Sequence, residues 1–242
     1  VVVQAGASEA GKEPAARTAE VIFVAHQALE EAQAFCRDVK GRFAKYGRQP
    51  EHLKIMPGIF QVIRRTQEEA PEKFDTLQAL VHPTVGLSLL SNMSGGVDLS
   101  QYRVDGPLPE LPELPETNGG KSRKRLLFDL ARRENLTIRD LYPRIGGARG
   151  HQQVVGTPQS IADQLQQWFE EEGADGFNIK SPWLPGALIE FAELVVPELQ
   201  RRGLFRTEYE GRTLRDNLGV SRPQNRYTQQ AAKQPQSVAG AR

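Results

Sequence analysis

A single cysteine, Cys36, occurs in the 242 residues. No disulfide can form within the chain, and a reducing compartment is the expectation. No segment approaches the roughly 20 consecutive apolar residues that a membrane-crossing helix needs. No basic stretch followed by an apolar one opens the chain either, so a soluble, cytoplasmic protein is expected. Net charge is nearly absent: 31 Lys and Arg against 30 Asp and Glu leave +1. No global field therefore draws the chain to nucleic acid or to an anionic membrane. The four histidines, His26, His52, His82 and His151, lack the spacing of metal ligands, and no metal site is expected. No Ser/His/Asp arrangement suggests nucleophilic catalysis. The run Glu170-Glu171-Glu172 falls at a helix end and reads as solvated.

What remains is the composition of an ordinary globular domain, 38% hydrophobic and 25% charged. The chain opens on Val1-Val2-Val3-Gln4-Ala5, a β-branched run that reads as a buried strand. A buried strand needs neighbours on both sides, so we expect sequence upstream of Val1. The turn Gly6-Ala7-Ser8 leads into a helix ending near Thr18, with Ser8 as its N-cap. Strands are predicted at Val21–Ala25, Leu53–Pro57 and Gly176–Ile179. Between Gln27 and Tyr46, residues Leu29, Ala32, Phe35, Cys36, Val39 and Phe43 recur at helical spacing.

Further helices are predicted from Thr66 to Leu80, from Ser122 to Arg133, after Thr137, and behind Thr157-Pro158. The one behind Thr157-Pro158 carries Ile161, Leu165, Trp168 and Phe169 on its core face. A last helix, Pro185 to Arg202, turns Leu188, Phe191, Ala192, Val195 and Leu199 inward, and Pro197 should kink it. Pro14 and Pro71 fall inside predicted helices, where each costs about 3 kcal/mol or moves the helix start.

Residues 83–121, with Pro107, Pro109, Pro112 and Pro115, read as a mostly irregular insertion. An arm follows from 203 to 228, and 229–242, rich in Gln, Ala, Pro and Ser, reads as a disordered tail. Alternating strands and helices imply α/β architecture with a parallel sheet. Four β/α units are half of what a closed barrel requires, and the pattern alone leaves a half barrel and a small open sheet both standing.

Several motifs then resemble one family. Gln4-Ala5-Gly6-Ala7-Ser8-Glu9-Ala10-Gly11 is similar to the fifth strand and phosphate loop of the nitrilotriacetate and dibenzothiophene-sulfone monooxygenases, within the bacterial-luciferase-like flavin enzymes. Asp105-Gly106-Pro107-Leu108-Pro109, Gly147-Ala148-Arg149-Gly150-His151, Ala174-Asp175-Gly176-Phe177-Asn178 and Leu214-Arg215-Asp216 follow in the family's order, over residues 1 to about 228. The resemblance implies the C-terminal half of a (β/α)8 TIM barrel carrying a long insertion and a C-terminal arm. It further implies an FMNH2-dependent monooxygenase that inserts one atom of O2 into a small organic substrate, its FMN delivered reduced by a separate flavin reductase. The insertion suits a substrate cover or dimer contact and the arm suits a clasp, so a homodimer is expected.

Gly6, Ala7 and Ser8 form the expected phosphate loop, because small residues at a strand end let backbone N–H groups and a helix N-terminus approach an anion. Ala7 stands where many members carry a serine, which removes one hydroxyl. His26, Arg149, His151 and Asn178 are candidates for the flavin or substrate pocket. Each has a plainer reading beside it: a loop histidine for His26, loop-ordering hydrogen bonds for Arg149 and His151, and a rim hydrogen bond for Asn178. No catalytic residue is assigned, since a flavin carries most of such chemistry itself. Two other readings stand beside this one. The chain is a non-catalytic, truncated or split-barrel remnant that needs a partner bearing the first four strands, or it is a flavin- or deazaflavin-dependent reductase on the same barrel.

Overall fold

A computed structural model of the chain describes residues 1–66, 69–109, 121–223 and 225. In chain order the elements are β1 (Val3–Ala5), α1 (Glu9–Thr18), β2 (Val21–Val24), α2 (Leu29–Gly41), β3 (Lys54–Ile63), α3 (Glu69–Ala79), α4 (Pro83–Met93), α5 (Lys121–Glu134) and α6 (Ile138–Ala148). They continue as β4 (Gln152–Gly156), α7 (Pro158–Glu170), β5 (Asn178–Lys180), α8 (Gly186–Glu190), α9 (Val196–Arg201) and α10 (Leu214–Asn217). The strands form one parallel sheet in which β3 is the hub. Its first half pairs with β2, its second half with β4, and Gly58–Phe60 pair with β5.

The sheet has two unlike faces because side chains alternate along each strand. Ile22 and Val24 of β2 and Ile55 of β3 point to one face. There they meet Ala15, Ala16, Phe35, Val39 and Phe43 of α1, α2 and the turn after it. Ile59 and Ile63 continue that face into a cluster with Ile161, Leu165, Phe191 and Val195. On the other face the register aligns Ala5 with Phe23 and Met56, and then Gly58 with Asn178 and Phe60 with Lys180.

The expected helices are present, with corrections. Helix α1 starts at Glu9 behind Ser8 despite Pro14 in its interior. Its C-terminal carbonyls are satisfied from outside, because the Arg48 guanidinium donates to Ala15, Ala16 and Ala19. Pro71 falls in the first turn of α3, where the missing N–H is tolerated. Pro197 follows a π-helical turn, Phe191–Val195, which widens the backbone ahead of the ring and takes the place of a simple kink. The buried residues of that last helix are Ala187, Phe191, Val195 and Leu199. Leu188 and Ala192 face outward, since the π turn shifts the helical phase. Phe169 is also outward, 49% exposed, while Ala162 is buried with Ile161 and Leu165.

Three further expectations fail. A fifth strand, β4, exists where none was predicted, because its run Gln152-Gln153-Val154-Val155-Gly156 is short and half polar. Residues 83–93 are helical rather than irregular: Pro83 occupies the first turn behind His82, whose Nδ1 accepts from Thr84 N at 3.3 Å. Gly86 lets α4 press against α6, for a Cβ there would lie 2.5 Å from the Tyr142 ring. Val1–Val3 are exposed, Val3 by 62%, because β1 pairs on one side only with β2. The arm folds back on its own chain: Val220 is buried and Arg215 reaches Glu20. The expected tail at 229–242 and residues 110–120 of the insertion lie outside the described residues.

Helix α6 is set by a capping box in which Asp140 N donates to Thr137 Oγ1 at 3.2 Å and Thr137 N donates to Asp140 Oδ2 at 3.0 Å. Thr137→Ala is expected to cost about 1 kcal/mol, a fall of roughly 2–4 °C in thermal midpoint for a chain of this size. A circular-dichroism melt checks it.

Candidate functional site

In open parallel sheets, ligands sit beyond the C-terminal ends of the strands. Just past the C-terminal ends of β1 and β2, the sheet gathers the loop after β1, the segment after β2, the middle of β3, the residue before β4 and the start of β5. The loop Gly6-Ala7-Ser8 turns through Gly6, whose φ of +114° is open to glycine alone without strain and beside which no atom lies within 4 Å of a would-be Cβ. Gly6 N donates to Phe23 O at 3.0 Å, tying the loop to β2. Ser8 caps α1, its Oγ accepting from Gly11 N at 3.2 Å. Gln4 Nε2 donates to Gly11 O at 2.8 Å, which fixes the helix against its own strand. Ala7 packs its methyl against the apolar cluster below. The amides of Ala7, Ser8, Glu9 and Ala10 find no acceptor among the described residues. The loop thus offers unused donors at a helix N-terminus.

His26, just beyond β2, lies deeper than a loop histidine. It is buried with its ring 5.1 Å from that of Phe35, and its Nε2 has no hydrogen-bond partner among the described residues. Burial, with help from the nearby Lys12 charge, pushes its pKa down to about 4, so the imidazole is neutral at physiological pH. His151 is 2% exposed and stacks on Phe23 with ring centroids 4.9 Å apart and 13° between planes. It reaches that place because residue 58 has no side chain: a Cβ on Gly58 would stand 2.5 Å from His151 Nδ1 and 2.8 Å from Phe23. Asn178 pairs with Gly58 and is exposed on the same face.

Arg149, two residues before His151, is exposed and holds a left-handed backbone, φ 52° and ψ 39°, at the C-terminus of α6. It lines a separate cleft of about 370 Å³ with Phe60, Gly146, Gly147, Lys180 and Ser181. Gly6, Ala7, Ser8, His151 and Asn178 are therefore brought to one level of the sheet, where β1 and β2 end and β4 and β5 begin. Arg149 sits one step further on, and His26 beneath.

A roomier cavity, about 590 Å³, lies against Lys54, Phe169, Phe177, Phe205 and Arg206. Neither this cavity nor the Arg149 cleft is lined by the glycine loop or His151, which meet instead through Phe23. Phe23, Gly58, Phe60 and Lys180 were missed from the sequence. Gly58 carried a readable signal, since a glycine within an apolar run marks a close backbone approach. The preceding Pro57 masked it as a turn. Among the described residues no group of three or more His, Cys, Asp or Glu is placed to hold a metal ion. No described helix is long and apolar enough to cross a membrane.

The chain is 57% identical over 225 residues to nitrilotriacetate monooxygenase component A of Aminobacter aminovorans, a match covering 93% of this chain and 49% of that protein. It is 38% identical over 225 residues to dibenzothiophene-sulfone monooxygenase of Rhodococcus erythropolis, covering 93% and 49%. The chain spans about half the length of the curated relatives it matches. A solved structure of riboflavin lyase with modified FMN and riboflavin superposes with a TM-score of 0.74 at 30% identity, covering 91% of this chain and 47% of that one. The family model for luciferase-like monooxygenases matches residues 2–176. With that model spanning most of the chain and a relative 57% identical over nearly all of it, this protein belongs to the luciferase-like monooxygenase family.

Proposed function

We propose that this chain forms the C-terminal half of a (β/α)8 barrel in a two-component monooxygenase. Reduced FMN comes from a separate flavin reductase, and one atom of O2 goes into a small organic substrate. The full enzyme is a homodimer in the cytoplasm. One observation carries the reading. Phe23 joins the two parts of the site, its carbonyl accepting from Gly6 and its ring stacking on His151. The anion-ready loop and the row of Gly58, His151 and Asn178 thus form one continuous surface, past the ends of β1 and β2 and at the starts of β4 and β5. The helices over Ile22, Ile55 and Ile59 lie on the opposite face, as the outer layer of a barrel would.

The residues present suit FMN. The free amides from Ala7 to Ala10, together with Ser8 Oγ, would hold the phosphate. Glu9 opposes an anion there, but Lys12 and Arg42 pair with it and hold its carboxyl below the usual range. His151 would contribute a polar ring edge above Gly58, and Asn178 an amide facing the same space. Bound reduced flavin supplies the electrons that activate O2, while the chain supplies the phosphate grip and the wall behind the ring.

A second reading is favoured by the open face of the sheet: the chain is a non-catalytic remnant that binds flavin only with a partner carrying further strands. Exposed Val1–Val3 and the unpaired side of β1 invite such pairing. One titration separates the two. Anaerobic calorimetry with reduced FMN should give micromolar binding. Ser8→Ala should weaken it about 10- to 100-fold, the worth of a hydrogen bond to a charged group, with reduced riboflavin affected far less. A folded chain that binds no FMN sinks the first reading and leaves the second.

A further inference from the structure

We infer that His26 completes the phosphate site at the start of α1, its Nδ1–H donating to the anion that the Ala7–Ala10 amides await; this rests on the proposed flavin reading. The two segments leave the sheet side by side. Ala5 pairs with Phe23, and Gly6 N donates to Phe23 O at 3.0 Å. Beyond that bond the first runs through Gly6-Ala7-Ser8 into α1, and the second through Ala25 and His26 towards α2. Along β2, Ile22 and Val24 face the helices while Phe23 faces away, so alternation turns His26 to the helix side. Phe35 is the floor there. The His26 ring lies 5.1 Å from its ring, Lys12 Nζ lies 6.0 Å from it, and Ala7 packs against the same cluster. His26 thus stands beside the loop and the first turn of α1, close enough for the Lys12 charge to act on it.

The ring has one sealed nitrogen and one open. It is 9% exposed, and Nε2 is wholly buried with no partner among the described residues. Nδ1 makes no hydrogen bond there either, yet it is not sealed, so it carries the ring's polar exposure. Burial keeps the imidazole neutral at physiological pH, and a neutral ring places its single proton on one nitrogen. On Nε2 that proton would be a buried donor with nothing to meet, and orphaned N–H groups are the rarer and costlier kind. The proton therefore belongs on Nδ1, which makes a donor of the one nitrogen that a ligand can reach. Side-chain donors are otherwise scarce around the loop. Ala7 brings no hydroxyl, and Lys12 is held by Glu9 at 2.8 Å and Asp38 at 2.7 Å.

The test uses the whole chain labelled with nitrogen-15, since two-bond proton–nitrogen spectra report the tautomer of each histidine directly. The free chain is expected to show His26 in its Nδ1–H form. Reduced FMN, added anaerobically, and inorganic phosphate should both move the Nδ1 signal, and reduced riboflavin should not. By calorimetry, His26→Leu is expected to weaken reduced FMN at least tenfold, as loss of a hydrogen bond to a charged group does, and to leave reduced riboflavin unchanged. His26→Asn, whose amide nitrogen stands in for Nδ1, should keep most of the affinity. His26→Gln, which reaches only the Nε2 position, should not. Should His26→Leu melt early, the Asn and Gln variants decide, being alike in polarity. An Nε2–H tautomer, an Nδ1 signal that FMN leaves in place, or equal affinities for the Asn and Gln variants would overturn the assignment and leave the flavin reading standing. A chain that binds phosphate through His26 but no FMN loses the flavin reading and keeps the anion contact; one that binds neither loses both.

Discussion

Alanine at position 58 is expected to destabilise the chain by about 2–3 kcal/mol, the cost of overpacking a filled interior, and to lower its thermal midpoint by roughly 5–10 °C. The new methyl would stand 2.5 Å from His151 Nδ1 and 2.8 Å from Phe23 Cε2. Neither ring can yield cheaply. His151 is buried and stacked on Phe23, and Phe23 is itself tied through its carbonyl to Gly6. Displacing the pair therefore disturbs the site as well as the fold. Any FMN affinity should fall together with stability, whereas Thr137→Ala, remote from the loop, should change stability alone. Differential scanning calorimetry of Gly58→Ala beside the FMN titration checks both parts. An unchanged midpoint would mean that His151 does not rest over Gly58 in solution.

Arg215→Met is expected to weaken the fold most at neutral pH and progressively less in acid. Glu20 is buried at the start of β2, accepts from Val2 N at 2.7 Å, and forms a two-pronged ion pair with Arg215 from the arm. Arg215 holds the Glu20 carboxyl below its ordinary range, against burial, which pushes it up. A carboxylate with a lowered folded pKa stabilises fully above its unfolded value, about 4.3, and loses that contribution as pH falls through the folded value. Without Arg215, burial dominates and the sign reverses, so protonation of Glu20 relieves the fold. Urea unfolding at pH 7, 5, 4 and 3 should show the two curves far apart at pH 7 and converging below pH 4. Parallel curves across that range would show that the pair contributes nothing to the pH dependence. The same contact explains why residues 214–220, which read as an outstretched arm, lie on their own domain.

Local chemistry was legible along the chain. Ser8, Thr137 and Thr157 cap the helices that their positions predict, because a side-chain oxygen and a nearby amide need only a few residues of sequence to find each other. The apolar period of Ala32, Phe35, Cys36 and Val39 predicted their burial for the same reason: 3.6 residues per turn put them on one face. Where Pro83 was read as opening an irregular stretch, the prediction failed, for a helix starts there. Gly86 and Gly58 are sites of close packing against Tyr142 and His151, partners 56 and 93 residues away in sequence.

The loop Gly6-Ala7-Ser8 and the motif around His151 could be named from the sequence, since each is a short, contiguous pattern. That the loop and His151 meet through Phe23, that Arg149 turns away into its own cleft, and that His26 is buried and neutral could not. Those facts depend on which strand face a side chain takes and which helix covers it. Register and long-range packing settle that, and neither leaves a trace in adjacent residues.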